Sequence, residues 1–238
     1  MWITFLILST VMARITKFAP KEFYHLYNRG TEKRDIFMSY QDYERFLSLM
    51  FICNQISPVV LKSQGETLRE LIKIKNKEPL VEVSAYCLMP NHFHILASEK
   101  QENGISKFMQ KIMTGYTMYF NKKYERTGVL FQGKFKSTHA NDDRYLAYLI
   151  SYIHLNPIKL IEPEWKEVGI NDLKQAEKYL DSYKYSSYQD FLGRKRIENA
   201  ILNKNLLPKY FNSDIDFKKS VVEWLSYPHP RSDLGKVG

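Results

Sequence analysis

A chain of 238 residues, of which 44% are hydrophobic and 26% charged, is long enough for one domain with a full hydrophobic core, and this composition excludes general disorder. Its formal net charge of +9 favours a polyanionic partner, most simply nucleic acid, although charge alone does not separate DNA, RNA and an anionic membrane. Two cysteines, Cys53 and Cys87, are too few for a disulfide framework, which is typical of a protein from a reducing cytoplasm.

The first residues form an apolar run. Residues 2–11 carry no charge, but about ten residues are far fewer than the ~20 that a membrane helix needs. No charged residue precedes the run and no clean small-x-small cleavage site follows it, so a signal peptide is poorly supported. A second methionine, Met12, opens a more ordinary stretch. We therefore treat residues 1–22 as an N-terminal segment that begins with an upstream mis-start or an appended strand.

The next part of the chain alternates between strand and helix patterns. Residues 23–28 (FYHLYN) predict a strand that ends in a turn at Arg29-Gly30, and Ser39 can cap a helix that runs to about residue 54. Residues 80–88 alternate apolar and polar side chains as a half-buried strand does. A short turn (MPN) joins them to the strand pattern of residues 92–97, so the two strands are predicted to form an antiparallel hairpin.

A second helix, strand and helix follow. Residues 105–125 have helical spacing, residues 128–137 return to a strand-like composition, and residues 142–155 predict a helix that Asn156-Pro157 ends. This order predicts an α+β sandwich, an antiparallel sheet with helices on one face. We assign it to a main domain, residues 23–160.

The composition changes after residue 160, where proline, glutamate and lysine become frequent. Helical patterns recur near residues 174–183 and 216–225. Residues 161–238 are therefore predicted to be a C-terminal, mostly helical extension.

The sharpest local feature is His92-Phe93-His94. Residues i and i+2 of a strand point to one face, which brings the two imidazoles together and turns Phe93 towards the core. Two histidines placed in this way can share a divalent metal. A bare His-x-His pair is weak evidence, however, and two ordinary strand histidines are the alternative.

The helix of residues 142–155 offers a phenol and an amide. At ~100° per residue, Tyr152 and Asn156 share a face while His154 points the opposite way. The alternative, which periodicity alone favours, is a core tyrosine followed by a residue that ends the helix. Tyr145 and Tyr148 fall on the same broad face, so spacing does not single out one phenol.

Residues 100–136 interleave cations with aromatic rings, as a surface for single-stranded nucleic acid requires. The alternative is a solvated helix face above a core stripe, and Phe108, Tyr116 and Phe120 fit that stripe. We predict that the cations of this block bind nucleic acid and form a positive surface around His92 and His94. They are Lys107, Lys111, Lys122, Lys123, Arg126, Lys134 and Lys136.

These pieces together resemble the tyrosine transposases of the HUH superfamily, and within them the group associated with repetitive extragenic palindromes (REP), which is related to the single-tyrosine transposases of insertion sequences. The matching stretches are FYHLYNRG, LMPNHFHILA, FMQKIMTGYTMYFNKKYERTGVLFQGKFKS, YLISYIHLNPIKL and YKYSSYQDFLG, within residues 20–195. MPNHFH followed by YIHLNP is far more specific than either alone.

The resemblance implies a ferredoxin-like or RRM-like antiparallel sheet with helices packed on it. It further implies that His92 and His94 bind Mg²⁺ or Mn²⁺, that Tyr152 is the nucleophile, and that Asn156 is the third protein ligand. Insertion-sequence relatives often carry Gln at the position of Asn156, whose shorter amide still offers a carbonyl oxygen to a hard cation.

The implied function is a metal-dependent DNA transposase that cuts and rejoins single-stranded or hairpin DNA through a 5′-phosphotyrosine intermediate. We expect it in the cytoplasm with the nucleoid and away from membranes, as a monomer or a homodimer. A DNA-binding or regulatory protein that keeps the scaffold without transposing is the second hypothesis. An RRM-like RNA-binding module ranks third, because His92 and His94 replace part of the aromatics expected on its central strand.

Overall fold

The computed structural model describes residues 17–59, 67–73, 78–204, 207, 210–211 and 213–226. The predicted mis-start before Met12 therefore lies outside the described residues. Within the described ranges, no helix is long and apolar enough to cross a membrane.

A four-stranded antiparallel sheet with the strand order β2-β3-β1-β4 forms the centre of the fold. The strands are β1 (Phe23–Arg29), β2 (Val81–Met89), β3 (His92–Glu99) and β4 (Lys136–Ala140). The helices are α1 (Tyr40–Ile52), α2 (Leu68–Leu71), α3 (Gly104–Lys123), α4 (Asp143–Leu155), α5 (Trp165–Val168), α6 (Leu173–Ser182), α7 (Tyr188–Phe191) and α8 (Asp214–Ser226), with 3-10 turns at Thr31–Lys33, Asn156–Leu160 and Ile197–Ile201. The succession β1-α1-β2-β3-α3-β4 with this strand order confirms the predicted ferredoxin-like α+β class.

Helices cover both faces of the sheet, so the prediction of helices on one face is wrong. Alternate residues of β3 pack into two separate cores. Phe93 and Ile95 join the core beneath α1 and α3, which we call the α3 face, whereas Leu96 joins the core beneath α4, which we call the α4 face. Both sets of side chains are buried and so must be covered, which one layer of helices cannot do.

Two helix starts follow from the predicted capping residues. Ser39 precedes α1 in a capping box, in which its backbone N–H donates to Asp42 Oδ2 at 2.8 Å. The Asp142 side chain accepts a hydrogen bond from the Tyr145 N–H at 2.8 Å, which fixes the start of α4.

The fourth strand begins later than predicted. Residues 128–137 read as strand-like, but β4 starts only at Lys136. Gly128 and Gly133 have φ angles of +81° and +68°, which lie in the left-handed region and bend the chain into a loop.

The C-terminal part covers the β2 edge of the sheet. The Leu88 N–H donates to the Tyr185 carbonyl at 2.8 Å, and the Ser187 N–H donates to the Tyr86 carbonyl at 2.9 Å. The edge strand β2 thus has its backbone groups occupied by residues 185–187, which removes an open edge. The described residues after 160 are mostly helical, while the division of the chain at residue 160 stays a prediction.

Candidate active site

The two histidines of β3 lie on the α4 face with their ring centroids 4.9 Å apart. Strand alternation puts Phe93 between them into the opposite core. His94 is 4% exposed, so its ring is enclosed by the elements that pack on this face.

Tyr152 on α4 and Asn156, which begins the 3-10 turn after α4, lie beside the two histidines. The Tyr152 ring centroid lies 5.7 Å from that of His94, and all four predicted residues line one cavity of about 260 Å³. Asn156 Nδ2 donates to the Tyr152 carbonyl at 2.8 Å, which orients the Asn156 amide and leaves its Oδ1 free. Oδ1 of Asn156 and Nε2 of His94 are buried and have no hydrogen-bond partner among the described residues.

These two buried atoms, which lack partners in the described part of the chain, indicate whether the residues of the cavity could hold a metal ion. A buried polar atom without a partner is costly, and a bound cation would satisfy Asn156 Oδ1 and, in the tautomer with a bare Nε2, His94 as well. Imidazole nitrogen and amide oxygen are both donors to divalent metals. The described residues contain no group of three His, Cys, Asp or Glu that could hold a metal ion.

Burial keeps both histidines in the neutral form that a ligand requires. Burial lowers the pKa of His92 to about 4, and the charges of Lys159 and Arg29 act in the same direction. Burial, followed by the charge of His92, also holds the pKa of His94 well below its ordinary value. At neutral pH both rings therefore keep a lone pair for a metal.

The Tyr152 phenol is protonated in this environment. Burial raises its pKa, and the neighbouring Tyr148 and Tyr27 raise it further. Lys166, which follows α4 in the chain, places its Nζ atom 4.1 Å from the centroid of the Tyr152 ring. Burial lowers the pKa of Lys166 to about 7, and Lys159 adds to the effect.

The comparison with protein families decides what kind of protein carries this site. The model of the family described as "Transposase IS200 like" matches residues 43–156, a range that contains both histidines, Tyr152 and Asn156. Over these residues, nearly half of the chain, the sequence is similar to the IS200-like transposases. The match supports a transposase, the kind of enzyme that the sequence motifs also resemble.

Two solved structures show a weaker similarity to this chain than the family model does. A REP-associated tyrosine transposase bound to a REP hairpin has 12% identity and a TM-score of 0.47, covering 76% of this chain and 86% of that one. A tRNA(His) guanylyltransferase from Saccharomyces cerevisiae has 12% identity and a TM-score of 0.33, covering 84% of each chain. At these TM-scores neither structural similarity indicates what this chain binds. No curated protein matches the chain.

The structure separates Tyr152 from the other phenols that spacing left open. Tyr148 packs against Trp224, with ring centroids 5.0 Å apart, and neither it nor Tyr145 lines the cavity. Tyr116 lies on the opposite face of the sheet, where its hydroxyl donates to the Ile36 carbonyl.

The predicted basic surface is not where the sequence suggested. Only Lys136 of that set lines the cavity. Lys107, Lys111, Lys122 and Lys123 belong to α3, on the opposite face of the sheet, with Arg126 and Lys134 in the loop that follows. Lys111 Nζ donates to the Ser57 carbonyl at 2.8 Å, and Lys123 Nζ donates to Asp42 Oδ1 at 2.7 Å. For the four lysines of α3 the expectation of a positive surface around the histidines is wrong, because the sheet and the core beneath α1 and α3 lie between them.

Sequence reasoning missed the cations that do surround the cavity. They are Arg29, Lys33 and Lys159, which line it together with Lys136. Arg29 is paired with His92 in the register of β1 and β3. The chain places Arg29 and His92 more than sixty residues apart, so only the strand register brings them together.

Proposed function

We propose that this transposase cuts and rejoins single-stranded DNA through a covalent 5′-phosphotyrosine link, with Tyr152 as the nucleophile. One observation carries the proposal: the Tyr152 phenol shares a cavity with two buried acceptors that lack partners among the described residues, His94 Nε2 and Asn156 Oδ1. A tyrosine that served only to fill the core would require neither acceptor.

The reaction exchanges one phosphodiester for another. The Tyr152 oxygen attacks a backbone phosphorus and forms a new P–O bond, while the phenol proton leaves for solvent. The bond to the 3′ oxygen of the preceding nucleotide breaks, and that oxygen takes up a proton to become a 3′-hydroxyl. A 3′-hydroxyl on another DNA end can reverse the step, so no nucleotide cofactor is needed.

His92, His94 and Asn156 are the residues that would hold a divalent metal, Mg²⁺ or Mn²⁺. When bound, such an ion supplies Lewis-acid polarisation of the scissile phosphate. The protein itself keeps the two imidazoles neutral through burial and orients the Asn156 amide through its bond to the Tyr152 carbonyl.

The cations at the cavity support DNA as the partner. Arg29, Lys33, Lys136 and Lys159 line the cavity and can neutralise phosphates on both sides of a scissile bond. The REP-associated group and a preference for hairpin DNA are proposed from the resemblance of the sequence motifs. Lys107, Lys111, Lys122, Lys123, Arg126 and Lys134 remain candidates for contacts with DNA that extends beyond the site.

Covalent capture of DNA tests the nucleophile. The DNA 3′ of the cut stays on the protein, so single-stranded hairpin oligonucleotides with randomised flanks are labelled at the 3′ end and incubated with the protein and Mn²⁺. A labelled protein band on a denaturing gel is the expected result. Tyr152→Phe preserves the ring volume and should still bind DNA, but it should form no adduct.

Two further variants sharpen that result. Tyr148→Phe, one helical turn earlier on α4, is the matched control and should form the adduct as wild type does. His94→Ala should bind DNA and form no adduct. An adduct at the wild-type rate in Tyr152→Phe would refute the assignment, and DNA binding by wild type without any adduct would favour the non-transposing DNA-binding protein.

A further inference from the structure

A third histidine, His25 on β1, lies behind the predicted metal ligands. It falls on the α4 face, where the register of β1 and β3 places it diagonal to His94. His25 Nε2 lies 2.8 Å from His94 Nδ1, and the two rings stack with centroids 5.0 Å apart. The side chain is completely buried, so this contact is shielded from water.

The hydrogen bond between the two rings has two possible settings. Two neutral imidazoles in this contact share one proton between His25 Nε2 and His94 Nδ1, so either nitrogen can be the donor. If His94 Nδ1 donates, His94 Nε2 keeps a lone pair. If His25 Nε2 donates, His94 Nε2 carries the hydrogen and cannot bind a metal.

His92, the other proposed ligand, is held in the tautomer that has its hydrogen on Nδ1. His92 Nδ1 lies 2.6 Å from Asn91 Oδ1, and the Asn91 amide is oriented because its Nδ2 donates to the Lys33 carbonyl at 3.1 Å. An amide oxygen only accepts hydrogen bonds, so His92 Nδ1 carries the hydrogen and Nε2 keeps the lone pair.

We propose that His25 is a positioning residue that accepts the Nδ1 proton of His94 and so fixes His94 in the tautomer whose Nε2 can bind a divalent metal. The inference rests on the proposed function, because it gives His25 a role only if His94 is a ligand. Both ligand histidines are then held alike, each donating its Nδ1 proton to a neighbouring acceptor. Such partners of ligand histidines set ring orientation and raise metal affinity.

The tautomer of His94 in the wild-type protein is the first test. Long-range ¹H–¹⁵N correlation spectra of the metal-free, ¹⁵N-labelled protein distinguish protonated from bare ring nitrogens. We expect His94 to carry its hydrogen on Nδ1 and none on Nε2. The reverse assignment would overturn the proposal without any substitution in the core.

Mn²⁺ affinity, measured by calorimetry or by the loss of the free-ion signal in electron paramagnetic resonance, is the second test. His25→Phe keeps an aromatic ring but removes the acceptor, and it should weaken Mn²⁺ binding by roughly 10- to 100-fold. His25→Gln offers a carbonyl oxygen near the position of Nε2 and should recover most of the affinity. His139→Phe, the same substitution at an exposed histidine of β4 outside the cavity, should bind as wild type does.

His92→Ala separates failure of this inference from failure of the proposed site. If His92→Ala loses Mn²⁺ while His25→Phe binds as wild type does, His25 has no positioning role and the metal site stands. If His92→Ala also binds Mn²⁺ as wild type does, the metal site is wrong and the role of His25 falls with it. A loss in His25→Phe that His25→Gln does not recover would mean that ring packing, rather than the acceptor, matters.

Discussion

The basic side chains that line the cavity come from four separate parts of the chain. Arg29 ends β1, Lys33 lies in the following 3-10 turn, Lys136 begins β4, and Lys159 lies in the 3-10 turn after α4. Arg29 also hydrogen-bonds to Gln132, which holds the guanidinium group at the cavity. The fold, rather than one helix surface, therefore brings these four cations to the cavity.

Removing one of these cations should weaken DNA binding and make the binding constant less sensitive to salt concentration. Each phosphate contact releases counterions, so Lys136→Ala and Lys159→Ala should each bind single-stranded DNA more weakly and each reduce the slope of log K against log salt by roughly one. Titrations of labelled oligonucleotide by fluorescence anisotropy at several salt concentrations measure the slope.

Lys107→Ala is the matched control for these two variants. Lys107 is exposed on α3 and does not line the cavity, so this variant should form the covalent adduct at the wild-type yield when DNA is saturating. An unchanged salt slope in Lys136→Ala and Lys159→Ala, with a reduced slope in Lys107→Ala, would place the DNA on the α3 face instead.

Between elements, the carboxylate of Asp42 joins α1 to α3. It is fully buried and accepts hydrogen bonds from five donors, which are the N–H groups of Met38 and Ser39, the hydroxyls of Tyr119 and Tyr124, and Lys123 Nζ. Burial by itself raises the pKa of Asp42, but the bonds from Lys123 and Tyr124 outweigh it and hold the pKa below the ordinary 3.8.

Asp42→Asn should therefore destabilise the fold more at neutral pH than in acid. Asn keeps one carbonyl oxygen, but its NH₂ group replaces the other oxygen and faces N–H or O–H donors. Lys123 also loses its counterion, and together these changes cost roughly 3 kcal/mol in the free energy of unfolding. A folded-state pKa below the unfolded value stabilises the protein above about pH 4, and that contribution is lost as the pH falls through the folded value.

Urea unfolding at pH 7 and at pH 3 measures the difference between wild type and Asp42→Asn. We expect the difference in the free energy of unfolding between the two proteins to be smaller at pH 3 than at pH 7. Glu102→Gln, at an exposed acid before α3, is the control and should unfold as wild type does at both pH values. A gap of the same size at both pH values would show that the charge of Asp42 is not what stabilises the contact.

At the scale of the whole molecule, the residues after 160 complete the core on the α4 face. Trp165, Leu180, Tyr188 and Phe217 are buried in that core, and residues 185–187 cover the β2 edge. His154 Nε2 and Ser187 Oγ lie 2.7 Å apart, which ties the helix that carries Tyr152 to this part of the chain.

A chain shortened to residues 1–160 should not be a stable monomer. It would expose the apolar α4 face and the unpaired β2 edge, both of which promote association. Size-exclusion chromatography and circular dichroism of the shortened and full chains give the measurement. A shortened chain that is monomeric and folds cooperatively would instead support residues 23–160 as an independent domain.

The sequence by itself determined the features that depend on near neighbours. The periodicities of 2 and 3.6 residues identified the strands, the long helices and the shared face of His92 and His94, and side-chain capping fixed the starts of α1 and α4. Motif order identified the transposase family, and four candidate site residues were named before their positions were known. Apart from the order of the motifs, each of these features is encoded within about twenty consecutive residues.

The tertiary structure alone decided which faces meet. The β1–β3 register brings His25 to His94 and Arg29 to His92, and the packing of α4 places Tyr152, but not Tyr148, at the cavity. The packing of α3 on the other face puts its lysines behind the sheet, although they form the most conspicuous basic pattern in the sequence. Periodicity shows that a helix or strand has an apolar face but not which partner covers it, because pairing between distant segments depends on the packing of the whole core.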